Sequence, residues 1–346
     1  MADFLKQTWY MIGWAGELDD GVLARTITDT PVVAFRDTAG IVHAIHDRCP
    51  HRFAPLSKGI RKGDAIMCHY HGLTFDGAGT CVDNPLGGPV PAACRVASYP
   101  AVEQDGMLWV WLGDPALADP ALIVRFPWLN DEGLRSIQGY TRVDANYELL
   151  TDNLMDLTHA KFLHPGFGGD AYSPHNTMEA GRDTVLSKYV VIDIDNPEFP
   201  ENAWSSHGNK VDLWDDIQWY APATLSLSSG VVLTGRPREE GCEIPAAHVI
   251  TPESAGRSHY FWGSALPKDS PLSNDGFREV LSQAFDAEDK PMIEAAQQRM
   301  GEADFWELGP VLLGTDAPAV RVRRILREMI GNEKKSQAAS AEMSAA

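Results

Sequence analysis

The sequence lacks any run of about eighteen apolar residues, the length that indicates a transmembrane helix. Its first residues lack the basic region and apolar segment of a signal peptide. Basic residues are scarce, because 29 Lys and Arg stand against 48 Asp and Glu, a formal net charge of −19. Nucleic acids and anionic membranes both select basic surfaces. We therefore expect a cytoplasmic protein that binds neither nucleic acid nor membrane.

Cysteine is also sparse, with five residues among 346. Cys81, Cys94 and Cys242 share no regular spacing, and an odd number of cysteines does not indicate a disulfide framework. We expect these three to be buried or free thiols. The chain has no Gly-x-Gly-x-x-Gly stretch between a strand and a helix, so we expect no Rossmann-type site for a nicotinamide cofactor.

What the sequence does contain is two Cys/His pairs in one short stretch. The first is Cys49-Pro50-His51, and the second is Cys68-His69-Tyr70-His71, followed by Gly72. Two thiolates on one iron and two neutral imidazoles on the other are the ligands of a Rieske [2Fe–2S] cluster, which accepts and passes electrons. The same four side chains also suit a tetrahedral zinc ion. The spacing favours the Rieske cluster, with zinc as the alternative.

The length of the chain exceeds what a cluster domain needs, so we expect a second domain. We place the cluster domain at residues 1–115, the second domain at 116–330 and a disordered tail at 331–346. Prolines interrupt the sequence near residue 115, and the tail is polar and free of aromatics. Strand patterns occur at residues 65–67, 108–112, 185–192, 223–227 and 230–234, and helical patterns at 277–300 and 319–330.

A second constellation lies at residues 153–164, Asn-Leu-Met-Asp-Leu-Thr-His-Ala-Lys-Phe-Leu-His. On a helix, Asp156 and His159 share a face, and Pro165 ends the helix after His164. Two imidazoles and a carboxylate form the facial triad of non-haem iron oxygenases, which leaves open positions on ferrous iron. An ordinary half-buried helix is the alternative. The cluster motif favours the iron site, because O₂ activation at ferrous iron needs electrons delivered one at a time.

Together these motifs resemble the oxygenase component of the Rieske non-haem iron oxygenases, over nearly the whole chain. The likeness is carried by Cys-Pro-His-Arg-Phe-Ala-Pro-Leu at 49–56, by Cys-His-Tyr-His-Gly-Leu-Thr-Phe at 68–75 and by residues 153–164. Within this family the chain is most similar to the single-subunit aromatic O-demethylases of the vanillate and dicamba type. Trp9-Tyr10 and His-Val-Ile-Thr-Pro-Glu at 248–253 are typical of that subgroup.

The resemblance implies a role for each candidate site residue. For the third iron ligand Asp289 is the best match, and Asp286 and Glu288 are competitors on spacing alone. Electrons would pass from a cluster histidine through Asp156 to the iron. The implied set is Cys49, His51, Cys68 and His71 on the [2Fe–2S] cluster, His159, His164 and Asp289 on mononuclear Fe(II), Asn153 and Asp156 as catalytic residues, and His248 in contact with substrate.

The resemblance also implies an α+β fold, with an N-terminal Rieske β-domain and a catalytic domain whose curved antiparallel sheet surrounds a C-terminal helix. The expected assembly is a homotrimer. A separate NADH-dependent reductase or ferredoxin would supply electrons, so that NADH is used indirectly. The expected reaction is O₂-dependent demethylation of a methoxylated aromatic acid such as vanillate. The alternatives are hydroxylation of the ring or methyl group of another aromatic acid or sulfonate, a Rieske electron carrier without oxygenase chemistry, and a metal-binding scaffold with a degenerate catalytic domain.

Overall fold

The computed structural model describes residues 3–19, 21–167 and 175–345. The chain divides into two compact units. The first is Lys6–Arg125, and the second is Phe126–Ala346 together with Met1–Leu5. Each unit has its own buried apolar core, so each is described separately. No helix in the described part of the chain is long and apolar enough to span a membrane.

The first unit is built almost entirely from short antiparallel strands. They form three sheets, in the orders β1-β11-β10, β2-β3-β4-β9 and β5-β6-β7-β8. The strands are β1 (Trp9–Trp14), β2 (Val22–Ile27), β3 (Thr30–Arg36), β4 (Val42–His46), β5 (Ile60–Lys62), β6 (Ala65–Met67), β7 (Thr74–Asp76), β8 (Cys81–Asp83), β9 (Ser98–Tyr99), β10 (Ala101–Gln104) and β11 (Met107–Trp111).

Strand β3 contributes side chains to both apolar cores of this unit. Successive side chains of a strand point to opposite faces. Val32 and Ala34 therefore pack into one core, whereas Val33 and Phe35 pack into the other. The second core also contains the buried cysteines of the two Cys/His pairs. The strands thus fix the positions from which both pairs project.

The boundary between the units lies later than the sequence indicated. Two short 3₁₀ turns, Pro115–Leu117 and Pro120–Leu122, belong to the first unit rather than to the second. Trp9 Nε1 donates a hydrogen bond to the carbonyl of Asp119 (2.9 Å), and Ile123 is buried. The predicted boundary at residue 115 is therefore corrected to Arg125. The prolines bend the chain, but the segment that follows them still packs in the first unit.

The second unit contains a seven-stranded antiparallel sheet, in the order β12-β18-β17-β16-β15-β14-β13. Its strands are β12 (Leu134–Val143), β13 (His175–Ala180), β14 (Thr184–Asp195), β15 (Lys210–Tyr220), β16 (Thr224–Leu233), β17 (Cys242–Ser254) and β18 (Arg257–Pro267). The helices are α1 (Tyr147–Met155), α2 (Ala160–Leu163), α3 (Glu198–Ala203), α4 (Asn274–Ser282), α5 (Lys290–Met300) and α6 (Ala317–Ala345), with a π-helix, Gln283–Asp289, between α4 and α5.

The sheet and the helices share one apolar core. Leu150 and Leu154 of α1, Phe277 of α4 and Val322 of α6 are buried together with side chains of the sheet. Along β14 buried and partly buried residues alternate, as expected for a strand with one covered face. The expected α+β class, with an antiparallel sheet packed against a C-terminal helix, is confirmed.

Residues 223–227 and 230–234, predicted as two strands, form the single strand β16, which pairs with β15 throughout. Gly230 lies inside it, opposite Trp214. A Cβ on Gly230 would lie 2.0 Å from the Trp214 ring, so the glycine makes room for the indole. Gly230 is therefore a packing feature inside a continuous strand.

The predicted disorder of residues 331–345 is also corrected, and residue 346 lies outside the described residues. Helix α6 continues to Ala345 instead of ending near Ile330. Beyond Gly331 the sequence is rich in Ala, also carries Glu and Lys, and contains no proline, a composition that favours helix even where no core is available. Lys334 also pairs with Asp3, so the first turns beyond Ile330 contact the rest of the unit.

Candidate functional site

The two Cys/His pairs lie on loops with the same backbone pattern. In the first loop Cys49 N–H donates to Ala54 O (2.9 Å), and in the second Cys68 N–H donates to Leu73 O (2.8 Å). The fourth residue after each cysteine has a left-handed backbone, Phe53 at φ 62° and Gly72 at φ 80°. Each loop therefore closes on itself and presents its cysteine and histidine in the same way.

Among these four side chains, the two cysteines are more buried than the two histidines. Cys49 and Cys68 are buried, His51 is exposed and His71 is half-buried. The two imidazole rings lie 4.5 Å apart between centroids. Burial, with a smaller contribution from the neighbouring Cys68 thiol, raises the pKa of Cys49. Two inner thiols and two outer imidazoles match the donor set of a Rieske cluster.

Residues 153–164, the second group of candidate ligands, do not form the single helix that the sequence predicts. Helix α1 ends at Met155, and Asp156 is extended, with φ −124° and ψ 95°. A 3₁₀ turn, Leu157–His159, then leads into α2. The Asp156 carboxylate caps this turn, because its Oδ1 accepts from the N–H of Thr158 (2.9 Å) and from the Thr158 hydroxyl (2.7 Å). The prediction of a continuous helix is wrong, since this side chain competes for the backbone.

The break allows both histidines to meet Asp289. Asp289 Oδ1 lies 3.1 Å from His164 Nε2 and 3.4 Å from His159 Nε2. In the described part of the chain this is the one trio whose potential ligand atoms close around a common point, all within 4.8 Å of one another. Two imidazoles and one carboxylate are the facial triad expected for ferrous iron. Asp286 lies apart from it, bonded to the Thr141 hydroxyl.

Each histidine of the trio is held at its other nitrogen. His159 Nδ1 lies 2.7 Å from the carbonyl oxygen of Asp156, and His164 Nδ1 lies 2.7 Å from Glu288 Oε2. Because both partners are acceptors, we assign the proton to Nδ1 in both rings. Nε2, which faces the Asp289 carboxylate in both rings, becomes the ligand atom once a metal takes the place of its proton.

The fourth polar group at this point is Asn153, on the last turn of α1. Its Nδ2 donates to Asp289 Oδ1 (3.1 Å) and lies 3.4 Å from His159 Nε2. Burial alone would raise the pKa of Asp289, but the hydrogen bonds to His159 and His164 outweigh it and hold that pKa well below its usual range. Asp289 is therefore an anion, as a metal ligand requires.

A cavity of about 130 Å³ opens beside the trio. His159, His164 and Asp289 form part of its wall, and His248 forms another part. The remaining wall is largely apolar, and includes Leu157, Phe167, Phe199, Leu213, Trp214, Leu227, Val231, Ile244, Ala246, Leu281 and Phe285.

His248 is buried, and burial lowers its pKa to about 4, so the ring is neutral at physiological pH. Its Nδ1 lies 2.7 Å from the Tyr260 hydroxyl, which is its one hydrogen-bonding partner among the described residues. The sequence indicated His248 but none of the apolar wall. These side chains come from many separate helices, strands and turns, and alternation along a strand shows only that a face is buried.

Comparisons with known proteins agree with this geometry. The chain matches the Rieske [2Fe-2S] domain over residues 8–100 and the vanillate O-demethylase oxygenase C-terminal domain over residues 143–332. It therefore belongs to the Rieske non-haem iron oxygenases, as an oxygenase component that works with separate electron-transfer partners. Its cofactors are a [2Fe–2S] cluster and a mononuclear iron.

Two of its most similar relatives are oxygenase components of dealkylating enzymes. The oxygenase component of chloroacetanilide N-alkylformylase from Rhizorhabdus wittichii (strain DC-6 / KACC 16600) is 38% identical over 341 residues, covering 95% of this chain and 97% of the relative. The dicamba O-demethylase oxygenase component from Stenotrophomonas maltophilia is 38% identical, covering 94% and 98%. A crystal structure of dicamba monooxygenase bound to 3,6-dichlorosalicylic acid superposes with a TM-score of 0.91 at 37% identity, covering 96% and 99%.

Proposed function

We propose that this oxygenase component catalyses the oxidative O-demethylation of a methoxylated aromatic acid such as vanillate. The observation that supports it is an open His/His/Asp trio on the wall of a cavity lined mainly by apolar and aromatic side chains. One atom of O₂ would enter the methyl group, and the resulting hemiacetal would collapse to formaldehyde and a phenol. The second oxygen atom would leave as water, with two electrons and two protons supplied from NADH and solvent.

In this proposal the two metal centres have separate ligands. Cys49, His51, Cys68 and His71 hold the cluster, and His159, His164 and Asp289 hold the iron. When bound, the cluster supplies single electrons and the iron activates O₂.

The chain itself orients the iron ligands. The Asn153 amide donates to Asp289 Oδ1, and the Asp156 carbonyl accepts from His159. These bonds keep the ligand atoms directed at one point before any metal arrives, which lowers the cost of binding it. We therefore assign Asn153 a supporting role at the reaction centre and keep Asp156 as the link to a cluster histidine.

The cavity wall suits an aromatic ring and excludes water. Because its ring is neutral, His248 would contact a substrate carboxylate by a hydrogen bond rather than by an ion pair. The described residues that line the cavity include no Lys or Arg. This observation favours a second candidate, the oxidative dealkylation of an uncharged aromatic ether or amide, because a buried carboxylate without a cation is costly.

The partners follow from the reaction. A separate reductase or ferredoxin would deliver electrons from NADH, and we propose a homotrimer in which the cluster of one chain serves the iron of the next. A cytoplasmic location is part of the same proposal, since NADH is an intracellular reductant.

The test is a substrate panel with purified protein, a surrogate reductase and NADH. Matched pairs of methoxylated benzoic acids and benzamides would be scored for formaldehyde and for hydroxylated products. His164→Ala serves as the control that retains the cluster. Formaldehyde from the acids supports the first candidate, and formaldehyde from the amides alone supports the second.

Iron analysis provides an independent check. A Rieske cluster and a mononuclear site predict about three irons per chain. Two irons would indicate an electron carrier, and zinc in place of iron would contradict the cluster assignment.

A further inference from the structure

Glu288 and Asp289 are adjacent in the chain, yet both contact the same imidazole. Adjacent residues of an α-helix do not face each other. Here the chain between α4 and α5 forms the π-helix Gln283–Asp289, whose wider turn is marked by the bond from Lys290 N–H to Phe285 O. Such local widening often lies at functional sites. It brings two successive carboxylates to one histidine.

The two carboxylates occupy opposite sides of the His164 ring. Asp289 Oδ1 lies 3.1 Å from Nε2, and Glu288 Oε2 lies 2.7 Å from Nδ1. The other oxygen of Glu288 accepts from Gln283 Nε2 (3.1 Å), so a side chain of the same π-helix holds the carboxylate in place. Glu288 is thus on the side of the ring away from the metal position and is not one of the three ligands.

The two histidines of the trio differ in the group that holds them. His159 is held by a neutral backbone carbonyl, whereas His164 is held by a carboxylate. A hydrogen bond to an ionised acceptor is roughly twice as strong as one between neutral groups. It also increases the electron density on the ring and makes Nε2 a better ligand.

We propose that Glu288 is a positioning residue for the iron site, which fixes the Nδ1–H tautomer of His164 and makes it the stronger of the two imidazole ligands. The inference rests on the proposed function, because it requires a metal at the His/His/Asp trio. In this proposal the π-helix places two functional residues at consecutive positions. Asp289 is an iron ligand, and Glu288 supports the ligand His164.

The test compares Glu288→Gln and Glu288→Ala in the full chain with its cluster. Glu279→Gln is the matched control, because Glu279 is an exposed residue of the preceding helix. Fe(II) affinity is measured by competition with a chromophoric chelator. We expect affinity to fall about 10-fold in Glu288→Gln and up to about 100-fold in Glu288→Ala, the range seen when such outer partners are removed. Parent-like affinity in both variants would overturn the proposal.

A spectroscopic measurement separates positioning from a general loss of structure. At saturating Fe(II), the electron paramagnetic resonance spectrum of the nitric oxide complex reports the ligand field of the iron. We expect its rhombicity to change in Glu288→Gln and to stay unchanged in Glu279→Gln, with the thermal unfolding of the metal-free proteins unaltered. An unchanged spectrum in Glu288→Gln would overturn the proposal, as would complete loss of Fe(II) binding, which would make Glu288 a ligand. Failure of the parent protein to bind Fe(II) at this site would instead contradict the proposed function.

Discussion

The residues of the two candidate metal sites lie in different units of the chain. The Cys/His loops lie within Lys6–Arg125, and the His/His/Asp trio lies within Phe126–Ala346. No side chain of one set is shared with the other among the described residues. Substitutions in the two sets therefore have separable effects.

The first prediction uses this separation. His71→Ala removes an outer imidazole, so the Rieske absorption and paramagnetic resonance signals should disappear. His164→Ala should leave both signals intact and abolish product formation, because it affects the mononuclear site alone. Optical and resonance spectra with single-turnover assays measure both effects. Loss of the cluster signal in His164→Ala would show that the two sites are not independent.

The second prediction concerns the third iron ligand. Asp289→Asn replaces an anion that faces both histidines by a neutral amide, and Fe(II) affinity should fall at least as much as when an outer partner is removed, about 10-fold or more. Asp286→Asn should have little effect, because Asp286 contacts Thr141 instead. Iron content after dialysis against a chelator measures the difference. The reverse order would transfer the assignment to Asp286.

At the scale of helices and strands, the sequence alone predicted some elements correctly and missed others. Apolar alternation correctly predicted strands such as β14, and the motifs indicated the residues of the trio. The break at Asp156 and the π-helix before Lys290 were not predictable from periodicity. Both depend on local competition for backbone bonds and on tertiary packing, which a periodic pattern does not encode.

Helix α1, which carries Asn153, is connected to the C-terminal helix by a buried ion cluster. Arg323 of α6 donates to Asp152 (2.6 Å) and to Glu148 (2.7 Å), both on α1. The arginine side chain is only 6% exposed, and its guanidinium lies 4.2 Å above the Phe305 ring. Burial raises the pKa of Asp152, and the neighbouring Arg323 opposes that shift.

The third prediction follows from this cluster. Arg323→Met removes the buried cation that two half-buried carboxylates share, and the unit that contains α1 should lose at most about 3–5 kcal/mol, the cost of breaking a fully buried pair. Arg324→Met is the matched control, because Arg324 is exposed on the same helix. Chemical denaturation, followed by a probe specific to this unit, measures the change. Equal stability of the two variants would contradict the role given to Arg323.

At the scale of the whole molecule, Asp156 is the residue that the proposed trimer requires. Both hydrogen bonds that its carboxylate makes within the described chain use Oδ1. Oδ2 is thus available to a further donor. In the proposed trimer that donor is a cluster histidine of the neighbouring chain, and the Asp156 carbonyl meanwhile holds His159.

The fourth prediction tests this link. Asp156→Asn keeps the size of the side chain but replaces one carboxylate oxygen by an amide, so both metals and the trimer should be retained. Electron transfer from reduced cluster to product should be nearly lost. Single-turnover reoxidation of the cluster, measured with the mass of the protein in solution, reports both quantities. Parent-like reoxidation in Asp156→Asn, or a fully active monomer, would contradict the route between subunits.

The division of the chain has a practical consequence for shortening it. The second unit begins with the first residues of the sequence, since Phe4 is buried in its core with its ring 6.2 Å from that of Tyr147. A fragment that starts at Phe126 would lose this aromatic side chain and leave a hydrophobic cavity, at a cost of about 3–5 kcal/mol. A fragment of the second unit intended for isolated study should therefore keep the opening segment, through Leu5, connected to Phe126 by a linker that replaces the intervening unit.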